Sequence, residues 1–465
     1  MGKNLLKKMM TFAAMVTLLL SPVSGLAAQV EGNSNHVEKD WMSYVELVQK
    51  LNQIKEASSG KVEVEVIGQS RQGREIHAAR VGTGDQLLLI NGNIHGNEKS
   101  GPEALMQMFE TLGTSDSPLA QSIRDEVTIV AVPRLNVDGA ELTQRQNVFP
   151  WDEVVATYPQ LEGAEPAWYY HARNRGFDIN RDFNPDLNYE PLLEDLPGTS
   201  ADLGFFLTNE SQILRDLYLD LKDEFGEVEA FVDLHHMGTT KTNKTGEDVT
   251  IAIDYPPLGP DDSQKYADWP KLDQDKSKRY ALAAALGVKE LSDNEEPGVS
   301  QYIHPEERDL PGQARSSFAL NGTATVLFEM PGQQPAFGYD QELIDRVEHG
   351  LWGIASRMAD DSINRLNGDD FLSLPKYWTE SASDMKDLVT RFTKEGMFES
   401  DTVARSLATH LTVVERFEKQ ENGAKVVKHT EGFKFLLNHY KEEGMIAQEA
   451  YNRLQSDANY LIGKW

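Results

Sequence analysis

Four strand-length runs of almost unbroken apolar residues, separated by helical patterns, restrict this chain more than any other feature of its sequence. They are Gln86–Asn91 (QLLLIN), Val127–Val132, Ala230–Leu234 and Thr323–Phe328. A strand without polar alternation is buried on both faces, so helices must cover both sides of the sheet that contains it. Between the runs lie patterns of helical length at Gly101–Leu112, with Pro102 in the first turn, at Phe205–Leu221 and at Lys276–Leu291. The alternation predicts an α/β domain with a mixed central sheet flanked by helices. Upstream, apolar residues from Trp41 to Ile54 recur at helical spacing. Val62–Ile67 and Ile76–Val81 read as a hairpin across the polar stretch Gly68–Arg74.

The pattern changes after residue 365. A loop-like stretch containing Pro375 leads into four helix patterns with no strand between them: Asp384–Glu395, Ser400–Glu421, Ala424–Asn438 and Met445–Ile462. Val403, Leu407, Leu411, Val414 and Phe417 form one apolar face of the second. Gly396 and Gly444 stand where helix C-caps are expected. The expected organisation is a catalytic domain over 28–365, a linker over 366–378 and a small all-α bundle over 379–465.

Charge narrows the partners. The 465 residues hold 74 acidic and 45 basic side chains, a net charge of −29. Such a surface repels phosphate backbones and anionic lipid, which argues against nucleic acid and membrane surfaces as partners. The first 27 residues read as a signal peptide. Lys3, Lys7 and Lys8 precede an apolar run from Met9 to about Leu20, and Gly25 and Ala27 offer the small residues of a cleavage site. Ser21 and Pro22 end that run too early for a membrane span of about 20 residues. No later segment is long and apolar enough to span a bilayer. There is no cysteine, so disulfides, cysteine nucleophiles, thiolate ligands and a lipoprotein anchor are all excluded.

Three of the apolar runs lead into side chains that bind metals or move protons. His95-Gly-Asn-Glu98 follows the first, His235-His236 the third, and Glu329 the fourth. Neighbouring strand residues face opposite sides, so only one of His235 and His236 can join a common site. A hydrolytic zinc site needs three protein ligands, an open position for water, and a carboxylate to take that water's proton. His95, Glu98 and His235 meet the first need and Glu329 the last. Between them, Arg173 to Phe183 (RNRGFDINRDF) supplies arginines suited to a substrate carboxylate.

Across residues 41–360 this pattern resembles the zinc metallocarboxypeptidases related to pancreatic carboxypeptidase A. The likeness rests on Gly68 to Ile76, on Pro133-Arg-Leu-Asn-Val-Asp-Gly139, on Asp178-Ile-Asn-Arg181, and on the two histidines and two glutamates in the family's order. The resemblance implies one zinc ion on His95, Glu98 and His235, oriented by Asp178 behind the first histidine. It implies Asn180 and Arg181 on the terminal carboxylate of a peptide substrate, and Glu329 as general base and then proton donor. It assigns the oxyanion to Arg173, with Arg175 as the alternative because the spacing there is short. Where relatives carry a mobile tyrosine this chain has none, and Tyr302 is the nearest. Arg315 falls near the floor of the specificity pocket, where a cation favours an acidic terminal side chain.

The segment 379–465 resembles the FIMAH domain of secreted enzymes of Gram-positive bacteria, on Ala404–Leu411 and Val426–Phe433, with an unknown partner. Two other functions remain open on the sequence: cleavage of peptidoglycan stem peptides or acylated amino acids at the same site, and an inactive scaffold that only binds.

Overall fold

The computed structural model describes residues 40–238, 249–259, 264–292, 298–302, 309–332, 338–375 and 381–465. The expected signal segment lies outside them. The strands are β1 (Val62–Gln69), β2 (Glu75–Val81), β3 (Gln86–Gly92), β4 (Val127–Val132), β5 (Tyr170–His171), β6 (Gly176–Phe177), β7 (Ala230–Met237), β8 (Ile251–Asp254), β9 (Val299–Gln301) and β10 (Ala324–Pro331). Helices α1 (Tyr44–Ala57), α2 (Ser100–Thr114), α3 (Pro118–Glu126), α4 (Val137–Glu141), α5 (Trp151–Thr157), α6 (Asn209–Phe225), α7 (Gln274–Leu291), α8 (Ala314–Leu320) and α9 (Gln341–Ala359) accompany them. Four more follow: α10 (Ala382–Lys394), α11 (Asp401–Glu418), α12 (Gly423–Glu442) and α13 (Gln448–Lys464).

Eight strands form one mixed sheet in the order β1-β2-β4-β3-β7-β10-β8-β9. Its centre, β4-β3-β7-β10, is parallel, with antiparallel pairing at β1/β2, β2/β4 and β10/β8. The chain passes from β3 to β4 on one side and later returns to β7 on the other, so strand order switches between β3 and β7. Crevices at the carboxyl ends of strands beside such a switch are where open α/β sheets place ligands.

Strand parity divides the core into two layers. Leu88 and Ile90 of β3, Val232 and Leu234 of β7, and Val326 and Phe328 of β10 pack with α1, α2, α3, α7 and α9. Leu87, Leu89 and Phe231 face α6 and α8. At the crossing of α7 and α9 the packing is tight: a Cβ on Gly287 would lie 2.5 Å from both Gly353 Cα and the His349 carbonyl oxygen. Only glycine lets the helices approach this closely.

The long excursion between β4 and β7 is fastened to α6 by buried acids. The Asp182 carboxylate accepts from the Leu207 and Thr208 backbone N–H groups (2.9 and 2.7 Å), from Ser211 Oγ (2.6 Å) and from Tyr169 Oη (2.6 Å). Glu210 beside it is fully buried. Its Oε2 accepts from Asn147 Nδ2 at 2.8 Å, while Oε1 has no hydrogen-bond partner among the described residues. Burial, helped by the charges of Asp138 and Asp182, pushes its carboxyl up to about 7.

Two differences from the sequence expectation concern the end of the α/β region. The stretch expected as a linker is packed over its described part: Phe371 and Leu374 belong to the main core, and Phe371 meets Tyr255 edge-on. Helix α9, amphipathic and buried along Leu343, Val347, Leu351 and Ile354, is an element beyond the sequence expectation. Helices α10 to α13 enclose a core of their own that includes Leu388, Leu407, Leu411, Phe433 and Leu454. Gly396 and Gly444 both adopt φ +72, as expected of C-caps. Among the described residues no helix is long and apolar enough to cross a membrane.

Gly287→Val should lower the unfolding free energy by about 1–3 kcal/mol by wedging α7 and α9 apart, read by urea unfolding. A variant as stable as the parent would contradict the packing argument. Glu210 predicts a pH effect. Its folded value of about 7 exceeds the ordinary 4.5, so the folded chain holds an extra proton between them. The stability it contributes is complete below the lower value and is lost as pH rises through the upper one. Glu210→Gln, a permanently neutral mimic, should flatten that decline and melt above the parent at pH 8. Superimposable pH–stability curves would refute this.

Candidate metal centre

The first ligand pair is set by a tight loop. After β3 the chain turns through Asn93 at φ +57, whose Nδ2 donates to the carbonyls of His95 (2.6 Å) and Glu98 (2.7 Å). Gly96 lies so close to the Gly139 backbone that a Cβ would stand 2.1 Å from its carbonyl carbon. No side chain fits there, and the loop presents His95 and Glu98 together.

His235 comes from β7. Its Nδ1 is 3.0 Å from His95 Nδ1 and 3.0 Å from Glu98 Oε2, and His95 Nδ1 is 3.0 Å from Glu98 Oε1. All three side chains are buried. Ligands around a tetrahedral zinc ion stand roughly 3.3 Å apart, so these three donors are spaced to hold one small cation. The outer nitrogens are also engaged: His95 Nε2 meets Asp178 Oδ1 at 3.0 Å, and His235 Nε2 meets Asp233 Oδ2 at 2.8 Å. Both rings therefore point Nδ1 inward. His236 obeys strand parity and faces the other layer, where Nε2 takes the Ser100 N–H (3.1 Å) and Nδ1 faces the Gly332 carbonyl (3.2 Å).

The electrostatics favour a cation. Burial opposes charge on Glu98, yet His95 and His235 hold its carboxyl well below the usual range. Burial likewise disfavours a charged His235, but Asp233 and Glu98 push it up to about 10. Glu329 completes the cluster. It is the register partner of His235 across β7 and β10. Its carboxyl is buried, with Oε2 lacking a hydrogen-bond partner among the described residues. Burial and the neighbouring charge of Glu98 push it up to about 7, against the pull of His235, Arg315 and Arg145.

The arginines are arranged differently from the sequence expectation. Arg173 is exposed on the turn between β5 and β6, and among the described residues it makes no hydrogen bond or ion pair with the cluster. Arg175 is exposed too, paired with Asp152 at 3.1 Å. The arginine at the site is Arg145. It reaches Asp178 Oδ2 through Nε (3.0 Å) and Nη2 (2.9 Å), and Nη1 lies 3.1 Å from His95 Nδ1 and 3.5 Å from Glu98 Oε1. No local pattern marks it. Its one clue is position, six residues after Gly139 in the stretch that carries the family likeness.

Asn180 is buried. Its Oδ1 accepts from the Ala314 N–H (2.9 Å) and its Nδ2 donates to Asp233 Oδ2 (3.2 Å). Arg181 donates to the Asn180 carbonyl (2.7 Å) and, with Arg145, helps hold Asp178 well below the carboxylate range despite burial. Arg315 is buried rather than free: Nη1 donates to the Tyr255 carbonyl (2.9 Å) and stands 3.6 Å from Asp254, and Nε donates to Gln313 (2.9 Å). Tyr302 packs with Met237, Val249 and Ala252. Asp233 escaped the sequence reading, although its place two residues before His235 on one strand face was a usable signal.

The zinc carboxypeptidase profile matches residues 47–286, and a FIMAH domain profile matches residues 382–463. Carboxypeptidase E of Caenorhabditis elegans is 30% identical over 175 residues, 34% of this chain and 33% of that protein. The catalytic chain of human carboxypeptidase N is 30% identical over 158 residues, 31% of each. The chain thus spans about a third of the length of these relatives. The solved structure of thrombin activatable fibrinolysis inhibitor aligns with a TM-score of 0.49 and 14% identity, over 70% of this chain and 75% of that one. The zinc carboxypeptidase profile covers more than half of the sequence, and this chain belongs to the zinc carboxypeptidase family.

Proposed function

We propose that this protein is an exported zinc carboxypeptidase that removes the C-terminal residue of peptides. The observation that carries the reading is the convergence of His95 Nδ1, His235 Nδ1 and Glu98 on one point beside a buried carboxyl at Glu329. His95, Glu98 and His235 would hold the ion. When bound, zinc supplies a Lewis acid that polarises the scissile carbonyl and brings the pKa of a water to about 7. Glu329, poised near the same value, takes the proton from the attacking water and delivers it to the departing amine nitrogen. Two products leave, a shortened peptide and a free amino acid, and the carboxylate is restored.

Charge developing on the carbonyl oxygen needs a fixed donor. Arg145 is placed for this, locked by two bonds to Asp178 with Nη1 directed at the ligand set. Arg145, rather than the exposed Arg173, takes this role. Arg181 is the arginine for the substrate's terminal carboxylate. Asn180, committed to Asp233 and Ala314, supports the site from behind. Arg315 keeps positive charge near the terminal side chain, but Asp254 partly neutralises it, so a preference for acidic residues is modest. The leader-like residues 1–27 support export. The FIMAH-like bundle is an accessory module.

Zinc-loaded protein should release the last residue from short N-blocked peptides ending in Glu, Leu or Lys, as followed by mass spectrometry. Glu329→Gln should cut turnover by about 10²–10⁴-fold with zinc content unchanged. Arg145→Ala should cost about 10²–10³-fold and Arg173→Ala almost nothing. Cleavage of a cell-wall tripeptide with no release from ordinary peptides would replace this substrate class. An active Glu329→Gln would overturn the mechanism.

A further inference from the structure

The site holds a second carboxylate–histidine pair, and the two pairs are not equivalent. Asp233 and His235 are two residues apart on β7 and share a face. Asp233 is completely buried, and a buried carboxylate is tolerated only when its oxygens are bonded. Oδ1 accepts from Asn91 Nδ2 at 3.0 Å, and Asn91 is its register partner across β3 and β7. Oδ2 lies 2.8 Å from His235 Nε2, and Asn180 Nδ2 stands against both, 3.2 Å from Oδ2 and 3.0 Å from Nε2. The Asn180 amide cannot serve the other way round, because its Oδ1 is occupied by the Ala314 N–H. Both amides are neutral donors. They hold the carboxylate in place without cancelling its charge, and the nearest ionisable group to it is His235.

The His95 pair differs. Asp178 meets His95 Nε2 through Oδ1, but its Oδ2 takes two bonds from the Arg145 guanidinium. An arginine paired this way shares the negative charge, so Asp178 is the weaker acceptor toward its histidine. A carboxylate behind a ligand histidine fixes the tautomer and ring and raises the basicity of the metal-facing nitrogen. The stronger effect falls on His235.

Resting on the assignment of His95, Glu98 and His235 as ligands, we propose that Asp233, held by Asn91 and Asn180, is the positioning residue that dominates metal affinity at this site, ahead of Asp178. It aligns His235 so that Nδ1 faces the ion, and it takes no part in proton transfer to substrate. Asn91 acts through it: Asn91 Oδ1 has no hydrogen-bond partner among the described residues, so the side chain's one bond is to Asp233.

The test is zinc affinity, by competition against a chromogenic chelator, together with melting of the zinc-free proteins. Asp233→Asn should weaken zinc binding by about 10–100-fold, with the zinc-free protein melting like the parent, and Asp178→Asn should weaken it less. Asn91→Ala, which removes one support and no charge, should cause a smaller loss of the same sign, and it carries the test if Asp233→Asn does not fold. Parent-like affinity in a folded Asp233→Asn or Asn91→Ala overturns the proposal, as does a greater loss in Asp178→Asn. A parent protein that binds no stoichiometric zinc is a different result: it removes the ligand assignment itself.

Discussion

Side chains alternate across a β-sheet, and that two-residue period decides which groups in this protein can meet. Asp233, His235 and Glu329 all lie on the face of the sheet toward α6 and α8, while Leu234, His236, Phe328 and Met330 lie on the other. A one-residue slip of β7 would exchange His235 for His236 and send the ligand into the layer where Ser100 now binds its neighbour. The unbroken apolar runs prevent such a slip, because each face has its own core to fill. The register of the sheet is thus the condition for the site.

The second condition is a surplus of buried negative charge. Glu98, Asp233 and Glu329 are buried around two imidazoles, with Asp178 and Arg145 at the margin. Burial alone would drive these acids neutral. Hydrogen bonds and cationic neighbours keep Glu98, Asp178 and Asp233 ionised, whereas Glu329 makes no hydrogen bond among the described residues and sits near 7. The groups that hold and orient an ion are therefore separated electrostatically from the one group left able to exchange a proton at neutral pH. Paired acids whose environments push their pKa values apart are a recurring solution for acid–base work.

Much of this was legible in the sequence because it is local. An apolar strand followed by His-Gly-Asn-Glu or His-His announces both an element and the end where chemistry belongs. The central strands and the four C-terminal helices fell close to their expected places, with boundaries moved by a few residues. What escaped depends on contacts made far along the chain. Arg145 binds Asp178, 33 residues away, through a loop whose path no periodicity encodes. Arg173 looked suitable on spacing, but the β5–β6 turn carries it into solvent. Phe371 and Leu374 sit in a segment whose glycine and proline suggested a linker, and only the core they fill shows otherwise. Short strands such as β8 and β9 exist by pairing at the sheet edge, which composition cannot reveal.

The most direct measurement is anomalous diffraction from crystals of zinc-loaded protein, collected on both sides of the zinc absorption edge. The account predicts one peak about 2.0–2.2 Å from Nδ1 of His95, Nδ1 of His235 and a carboxylate oxygen of Glu98, with the Glu329 carboxyl beside it and outside the coordination sphere. A peak bound through the Nε2 atoms, a peak that omits one of these three residues, or no peak between the strand ends would contradict it.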